Sequence, residues 1–270
     1  MKKYLVIGNP IEHSLSPRLH NYWITNSNIN AVYEKKKLDE NEIESLILKI
    51  REKKINGINV TTPFKKVVIP FLDQLSLEAE NTQSVNTIYM ENDKIIGHNT
   101  DIDGFELGIK NSKFNANNKK VLILGAGGVV SSIIFALNKM KVSRITISNR
   151  TKQKAEHLKD SFKNLKIVDW GEIPDFDMII NATSIGLNKD DKINLDLSKV
   201  GKNKFFYDVI YNPLETNFLK AGKKLGNTTE NGKMMFIYQA FAAFKVWHGV
   251  NPKINNKVIE LLNKWLELEF

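Results

Sequence analysis

The sequence predicts an α/β protein of two domains, and two features of its 270 residues carry that expectation. Short apolar, β-branched runs alternate with helix-patterned segments almost from end to end, the arrangement that builds strand–helix–strand units and a mainly parallel sheet. From about residue 119 onward the apolar runs become near-continuous over four or five residues, which suits strands buried on both faces.

Taken in order, Tyr4 to Ile7 reads as the first strand, cut off by Gly8-Asn9-Pro10. A Ser-Pro start opens a helix over Ser16 to Thr25, and Ala31 to Glu34 is the next strand. Asp39 to Arg51 is helical because Ile43, Leu46, Ile47 and Ile50 recur on one face. Gly57 to Val60, Ser84 to Met90 and Lys94 to Gly97 supply the remaining strands of a first domain, residues 1–100. Asp101 to Lys110 is a connecting helix, and the polar run NSKFNANNKK that follows it is the best linker candidate. The second domain, residues 101–234, takes its strands from VLILG, RITIS, KIV, MII and FFYDV, ending at 209. Helices over Met234 to Trp247 and Lys253 to Leu268 close the chain, with 235–270 expected to return to the first domain.

Composition removes several classes of function. No apolar run approaches the ~20 residues of a membrane helix, and the start MKKYLVIG is too quickly interrupted for a signal peptide, so a cytoplasmic protein is expected. The absence of cysteine excludes disulfide and thiolate chemistry. A net charge of +9 invites a nucleic-acid reading, but only four of the 39 basic residues are arginine and the lysines are spread along the whole chain. That distribution describes a solvated surface and no nucleic-acid partner. No HExxH or Cys/His cluster suggests a metal.

VLILGAGGVVSSIIFAL places Gly125, Gly127 and Gly128 directly after a strand and before a helix. Such a turn needs positive φ, a pyrophosphate needs a missing Cβ for close approach, and the helix start offers N–H groups and positive dipole. A purely structural turn is the competing reading. Val130 stands where the dinucleotide fingerprint has its third glycine, which would set the helix slightly farther from the sheet. An NAD site would offer Asp or Glu about 20 residues on. This chain offers ISNRT, in which Arg150 can pair a 2′-phosphate while Asn149 and Thr151 add hydrogen bonds and Thr151 can cap the next helix. NADP is therefore the expected cofactor.

Nine motifs, in order, give the chain its wider likeness: HSLSP at 13–17, NVTTPFK at 59–65, VNT at 85–87, NTD at 99–101, GAGG at 125–128, NRT at 149–151, NATSIG at 181–186, DVIYNP at 208–213, and Asn231-Gly232 with Gln239. With these, the sequence resembles the shikimate dehydrogenase family over nearly its full length. The resemblance implies an N-terminal α/β substrate domain with a mainly parallel sheet, a Rossmann-like NADP-binding domain, and NADP-dependent interconversion of 3-dehydroshikimate and shikimate in aromatic amino-acid biosynthesis. By the same resemblance Lys65 is the catalytic lysine with Asp101 beside it, and Ser14 and Ser16 hold the substrate carboxylate. Thr61, Asn86, Asp101 and Gln239 hold the ring hydroxyls and carbonyl, and Tyr211 lies near the substrate. Gly125, Ala126, Gly127, Gly128, Val129, Asn149, Arg150 and Thr151 hold the nucleotide, with Val209 and Gly232 beside the nicotinamide. The expected partners are small molecules, and the expected assembly is a monomer or homodimer.

Local sequence leaves other roles open: Ser14 and Ser16 can simply cap a helix, and Thr61 and Asn86 suit turns and strand ends. His13, His20 and His98 lie near the motifs but read as structural or solvent-facing. Departures from the family pattern, Gln83-Ser84 for Gly-Ala, Lys233-Met234 after Asn231-Gly232, and Val129 and Val130 for alanines, bear mostly on the cofactor side. Reducing a ketone creates an alkoxide that needs a proton, and a buried lysine oriented by a carboxylate can supply it. Of the adjacent pair in NVTTPFKK, Lys65 is assigned to chemistry and Lys66 to solvent. A quinate or dual quinate/shikimate dehydrogenase is the rival enzyme, and a catalytically silent NADP- or shikimate-binding regulator the rival outside enzymes.

Overall fold

A computed structural model describes residues 1–188 and 190–267. The chain forms two compact units, Met1–Asp101 with the chain from Gln239 onward, and Ile102–Tyr238. Its elements run β1 (Lys2–Gly8), α1 (Ser16–Asn26), β2 (Ala31–Lys37), α2 (Ile43–Arg51), β3 (Gly57–Val60), β4 (Gln74–Leu75), α3 (Leu77–Thr82), β5 (Thr87–Glu91) and β6 (Lys94–His98). They continue as α4 (Asp101–Asn111), β7 (Lys120–Leu124), α5 (Val130–Lys139), β8 (Arg144–Ser148), α6 (Lys152–Glu156), β9 (Leu165–Val168), β10 (Met178–Asn181), β11 (Phe205–Asp208), α7 (Asn217–Lys224) and β12 (Thr228–Glu230). Two helices follow, α8 (Lys233–His248) and α9 (Asn256–Glu267); Leu268, the end expected for the last helix, lies outside the described residues.

In the first unit the sheet order is β2-β1-β3-β5-β6-β4. β1 pairs in parallel with β2 and β3, while β5 runs antiparallel to both β3 and β6. The antiparallel pair is a hairpin whose two loop residues, Asn92 and Asp93, take φ of 49° and 59°, the left-handed values a two-residue loop demands. Leu5 and Ile7 of β1 pack with Ile43, Leu46, Ile47 and Ile50 of α2, the stripe its spacing predicts. On the other face, Tyr4 meets the Trp247 ring of α8 at 5.0 Å. A Cβ on Gly57 would fall 2.3 Å from the Trp247 indole nitrogen, so the missing side chain is what lets α8 lie on β3.

The second unit has six strands, all parallel, in the order β12-β11-β10-β7-β8-β9. Counted along the unit this is 3-2-1-4-5-6, the order of the doubly wound dinucleotide fold. Val121 and Ile123 of β7 and Val130, Ile133, Ile134 and Leu137 of α5 share its main core. Val130, in the position of the absent third glycine, is fully buried there.

Some expectations need correction. The polar run 111–120 is no linker, because Phe114 stacks on Phe205 at 4.5 Å and Ala116 is buried, which ties the segment to the second unit. The strand expected from Ser84 begins at Thr87, since Gln83 closes α3 in the left-handed conformation. Four short elements, β4, α3, α7 and β12, are not among those expected from the sequence, although α7 is amphipathic, with Phe218, Leu219 and Gly222 buried. Among the described residues no helix is long and apolar enough to cross a membrane.

Candidate active site

In the first unit, β3 ends at Val60, and the N–H of the next residue, Thr61, donates to the Ile7 carbonyl at 2.9 Å. The turn that follows contains a cis Thr62–Pro63 bond and is closed by the Phe64 N–H on the Thr61 carbonyl. Phe64 is buried in the core beneath it, and the Lys65 carbonyl accepts from Val85 N–H at 2.8 Å. Held on both sides, Lys65 directs its ammonium onto Oδ2 of Asp101, with the two side chains only 14% and 8% exposed. Lys66 is exposed. Asp101 opens α4, and its other oxygen, Oδ1, accepts from Asn86 Nδ2 at 2.9 Å. Asn86 Oδ1 in turn accepts from Thr100 N–H at 2.7 Å. Lys65, Asn86 and Asp101, separated by up to 36 residues, are thus one hydrogen-bonded group.

Ser14 and Ser16 do not cap α1: the N-cap position is Leu15 and makes no side-chain cap bond. The Ser14 hydroxyl accepts from Ser16 N–H at 3.4 Å. Gln239 lies on α8 in the part grouped with this unit, whereas Tyr211 belongs to the second unit and stacks on Phe236 at 4.7 Å. His20 is fully buried against the Tyr33 ring at 4.2 Å, and burial pushes its pKa down to about 3, so it stays a neutral packing group. His98 bonds Ser76 at 2.7 Å, and His13 is exposed.

The glycines of the second unit divide into two kinds. Gly125 has φ of 112°, and a Cβ there would fall 2.8 Å from the Ala182 carbonyl oxygen, so the fold itself requires glycine. At Gly127 a Cβ would come no closer than 3.9 Å to any atom outside the chain neighbours, and at Gly128 it would meet nothing within 4 Å. Neither has positive φ. The fold does not need glycine at these two positions, but a phosphate lying on the backbone would. Val129 is the N-cap of α5 and offers no side-chain cap, leaving the helix start available to an anion. Arg150 is exposed and enters no ion pair among the described residues, while Lys152 is paired with Asp169 at 2.6 Å. Thr151 does not cap α6 with its hydroxyl; Asn149 Nδ2 donates to the Thr151 carbonyl at 2.7 Å, so these two stiffen the loop around Arg150. Val209 and Gly232 touch closely, since a Cβ on Gly232 would fall 2.0 Å from the Val209 carbonyl oxygen.

NATSIG, quoted from the sequence without a role, and DVIYNP, in which Asp208 had none, form a single knot. Asn181 of NATSIG donates to both oxygens of Asp208 of DVIYNP at 3.1 and 3.2 Å, and Thr216 donates to Oδ2 at 2.6 Å. Burial pushes the Asp208 carboxyl above its usual pKa. The knot fixes the strand ends that carry Ala182 and Val209. Sequence reasoning also passed over Tyr33, Asn59, Thr87 and Thr100, which connect the polar groups of the first unit; Asn59 lies within NVTTPFK, but Tyr33 has no motif around it. Among the described residues no group of three or more metal-ligating side chains occurs.

A doubly wound nucleotide-binding sheet, joined in one chain to an α/β unit carrying a lysine–carboxylate pair, defines a two-domain oxidoreductase. Residues 6–88 match the shikimate dehydrogenase substrate binding domain, and residues 108–209 match shikimate / quinate 5-dehydrogenase. The NADP(+) shikimate dehydrogenase of Pelagibacter ubique is 62% identical over 97% of this chain and 99% of its own. Shikimate dehydrogenase from Thermus thermophilus, solved with NADP(H) and shikimate, superposes with a TM-score of 0.89 at 28% identity, covering 100% of both chains. A 5-ketofructose reductase of Gluconobacter, solved without ligand, reaches the same TM-score at 27% identity over 100% of this chain and 99% of its own, so architecture alone does not select the substrate. The chain belongs to the shikimate dehydrogenase family.

Proposed function

We propose that the protein catalyses the NADPH-dependent, reversible reduction of 3-dehydroshikimate to shikimate in the aromatic amino-acid pathway. The observation that carries this reading is the Lys65–Asp101 pair braced by Asn86, in a chain 62% identical to a shikimate dehydrogenase over nearly its whole length. NADPH, when bound, supplies the hydride. In the reducing direction the Lys65 ammonium gives a proton to the carbonyl oxygen as it becomes a hydroxyl, and in the oxidising direction the neutral amine removes it. Asp101 orients Lys65 with one oxygen and is held by Asn86 through the other.

Ser14 and Ser16 bind the substrate carboxylate; Thr61, Asn86, Asp101 and Gln239 take the ring oxygens, and Tyr211 contributes near the ring. Gly125 to Val129 cradle the pyrophosphate, with the open positions at Gly127 and Gly128 as the feature that fits it. Asn149, Arg150 and Thr151 take the 2′-phosphate, and Val209 and Gly232 flank the nicotinamide. The protein acts in the cytoplasm as a monomer or homodimer on small molecules only.

Following NADPH absorbance with shikimate and with quinate, each with NADP and NAD, tests reaction, substrate and cofactor together. Turnover of shikimate with NADP is expected. Equal or faster quinate turnover would reassign it to the quinate branch named in the family description. Ligand binding without turnover would make it a regulator.

A further inference from the structure

The Tyr33 hydroxyl begins a buried chain of hydrogen bonds that ends on Asp101, and backbone groups of Asn86 and Thr100 share in fixing its direction. Tyr33 Oη donates to Asn59 Oδ1 at 2.7 Å. Asn59 Nδ2 then donates to the Asn86 carbonyl and to Thr87 Oγ1, both at 3.0 Å. Having accepted there, Thr87 gives its own proton to Asn86 Oδ1 at 3.0 Å. That oxygen also accepts from the Thr100 N–H at 2.7 Å, so Asn86 turns its NH2 group to Asp101 Oδ1 at 2.9 Å, leaving Oδ2 for Lys65. Reversing the Asn59 amide would bring its oxygen against the backbone carbonyl oxygen of Asn86, so that carbonyl and the Tyr33 hydroxyl together set the Asn59 orientation.

Tyr33 is itself immobilised. It is 1% exposed, its backbone N–H and carbonyl are both taken by the Asn21 side chain at 2.9 and 2.7 Å, and its ring lies flat on His20.

We propose that Tyr33 is a positioning residue for the proton-transfer pair: its hydroxyl completes the hydrogen bonding of Asn59, which together with Thr87 and the Thr100 N–H holds Asn86 in the orientation that lets Asp101 offer one oxygen to Lys65. This rests on the function proposed above, in which Lys65 and Asp101 handle the proton. The sheet register explains how a residue so far away acts there, since β2, β1, β3 and β5 are consecutive neighbours and the chain of bonds runs across them.

Tyr33→Phe keeps the ring, its burial and the stack on His20, and removes only the hydroxyl, orphaning Asn59 Oδ1. The variant is expected to lose about tenfold in kcat for shikimate oxidation, the effect of one buried acceptor left unpaired, with an unchanged KM for NADP. The solvent deuterium isotope effect on kcat is expected to rise, because proton transfer becomes the slower step. Thr87→Val cuts the same chain nearer Asn86 and is expected to give the same kcat loss, with the double variant no worse than the worse single one. A kcat within twofold of wild type in folded Tyr33→Phe, or additive losses in the double variant, would overturn the proposal. Should Tyr33→Phe fail to fold, Thr87→Val decides alone, and unchanged kcat there overturns it. Absence of shikimate turnover in the wild type would instead remove the function reading, and this inference with it.

Discussion

The two units prepare for their ligands in opposite ways. In the first, the polar side chains are bonded to one another: Lys65, Asp101, Asn86, Thr100, Thr87, Asn59 and Tyr33 are linked by bonds of fixed direction. In the second, the groups proposed to meet the nucleotide are left open: Gly127 and Gly128 with space above them, an α5 start without a side-chain cap, and an exposed Arg150. A small ring acid covered with hydroxyls is recognised by the direction of each donor and acceptor, so its site is built rigid beforehand. A nucleotide brings its own charge and is held by backbone N–H groups and one guanidinium, which need access more than internal pairing.

If that contrast is right, damage to the two units separates in kinetics. Lys65→Ala should lower kcat by about 10²–10⁴-fold, the range for a general acid–base residue, with KM for shikimate changed much less; Lys66→Ala should retain activity. Arg150→Ala should raise KM for NADP by about 10–100-fold, as expected for lost hydrogen bonds to a charged group, and leave KM for shikimate alone.

The glycines sharpen the same point. Gly125→Ala should destabilise the fold, because both its φ and the Ala182 carbonyl oppose a side chain. Gly128→Ala should leave Tm unchanged while raising KM for NADP. Thermal melts and initial rates on both variants distinguish the fold's glycine from the ligand's, and a Gly128→Ala enzyme with unaltered NADP kinetics would remove that position from the cofactor site.

A smaller effect lies in the aromatic packing of the first unit. His20 is held down to about 3 from an ordinary value of 6.5, and His248 to about 4, both by burial. The unfolded chain therefore takes up protons below about pH 6.5 that the folded chain refuses. Stability falls as pH drops from 6.5 towards 3, at up to about 1.4 kcal/mol per pH unit for the fully buried His20. His20→Phe should flatten the decline of Tm between pH 6.5 and 4; an unchanged slope would assign the acid sensitivity elsewhere.

Sequence and structure agree best where a local pattern carries the signal. The apolar stripe of α2, the continuous strands of the second unit and the glycine loop are local patterns, and each lies where the periodicity puts it. The motifs also named the residues that meet at Lys65, though not why Asn86 faces Asp101. Part of that reason is the Thr100 N–H on Asn86, and part is Tyr33, Asn59 and Thr87 lying on neighbouring strands, where sheet register is invisible in residue spacing. The misread linker has the same origin: Phe114 is one aromatic in a polar run, and its partner, Phe205, is 91 residues away. Ser14, Ser16 and Thr151 suit helix caps by residue type, but Leu15 holds the N-cap position of α1 and the Thr151 side chain makes no cap bond to α6.

The division of labour rests above all on Lys65 as the group that moves the proton. Initial rates of shikimate oxidation by the wild-type protein and by Lys65→Ala, each measured over a grid of shikimate and NADP concentrations, test it most directly. The expected result is turnover by the wild type and a fall in kcat of about a hundredfold or more in the variant, with both KM values little changed. A variant that loses only shikimate affinity while keeping its kcat would contradict it.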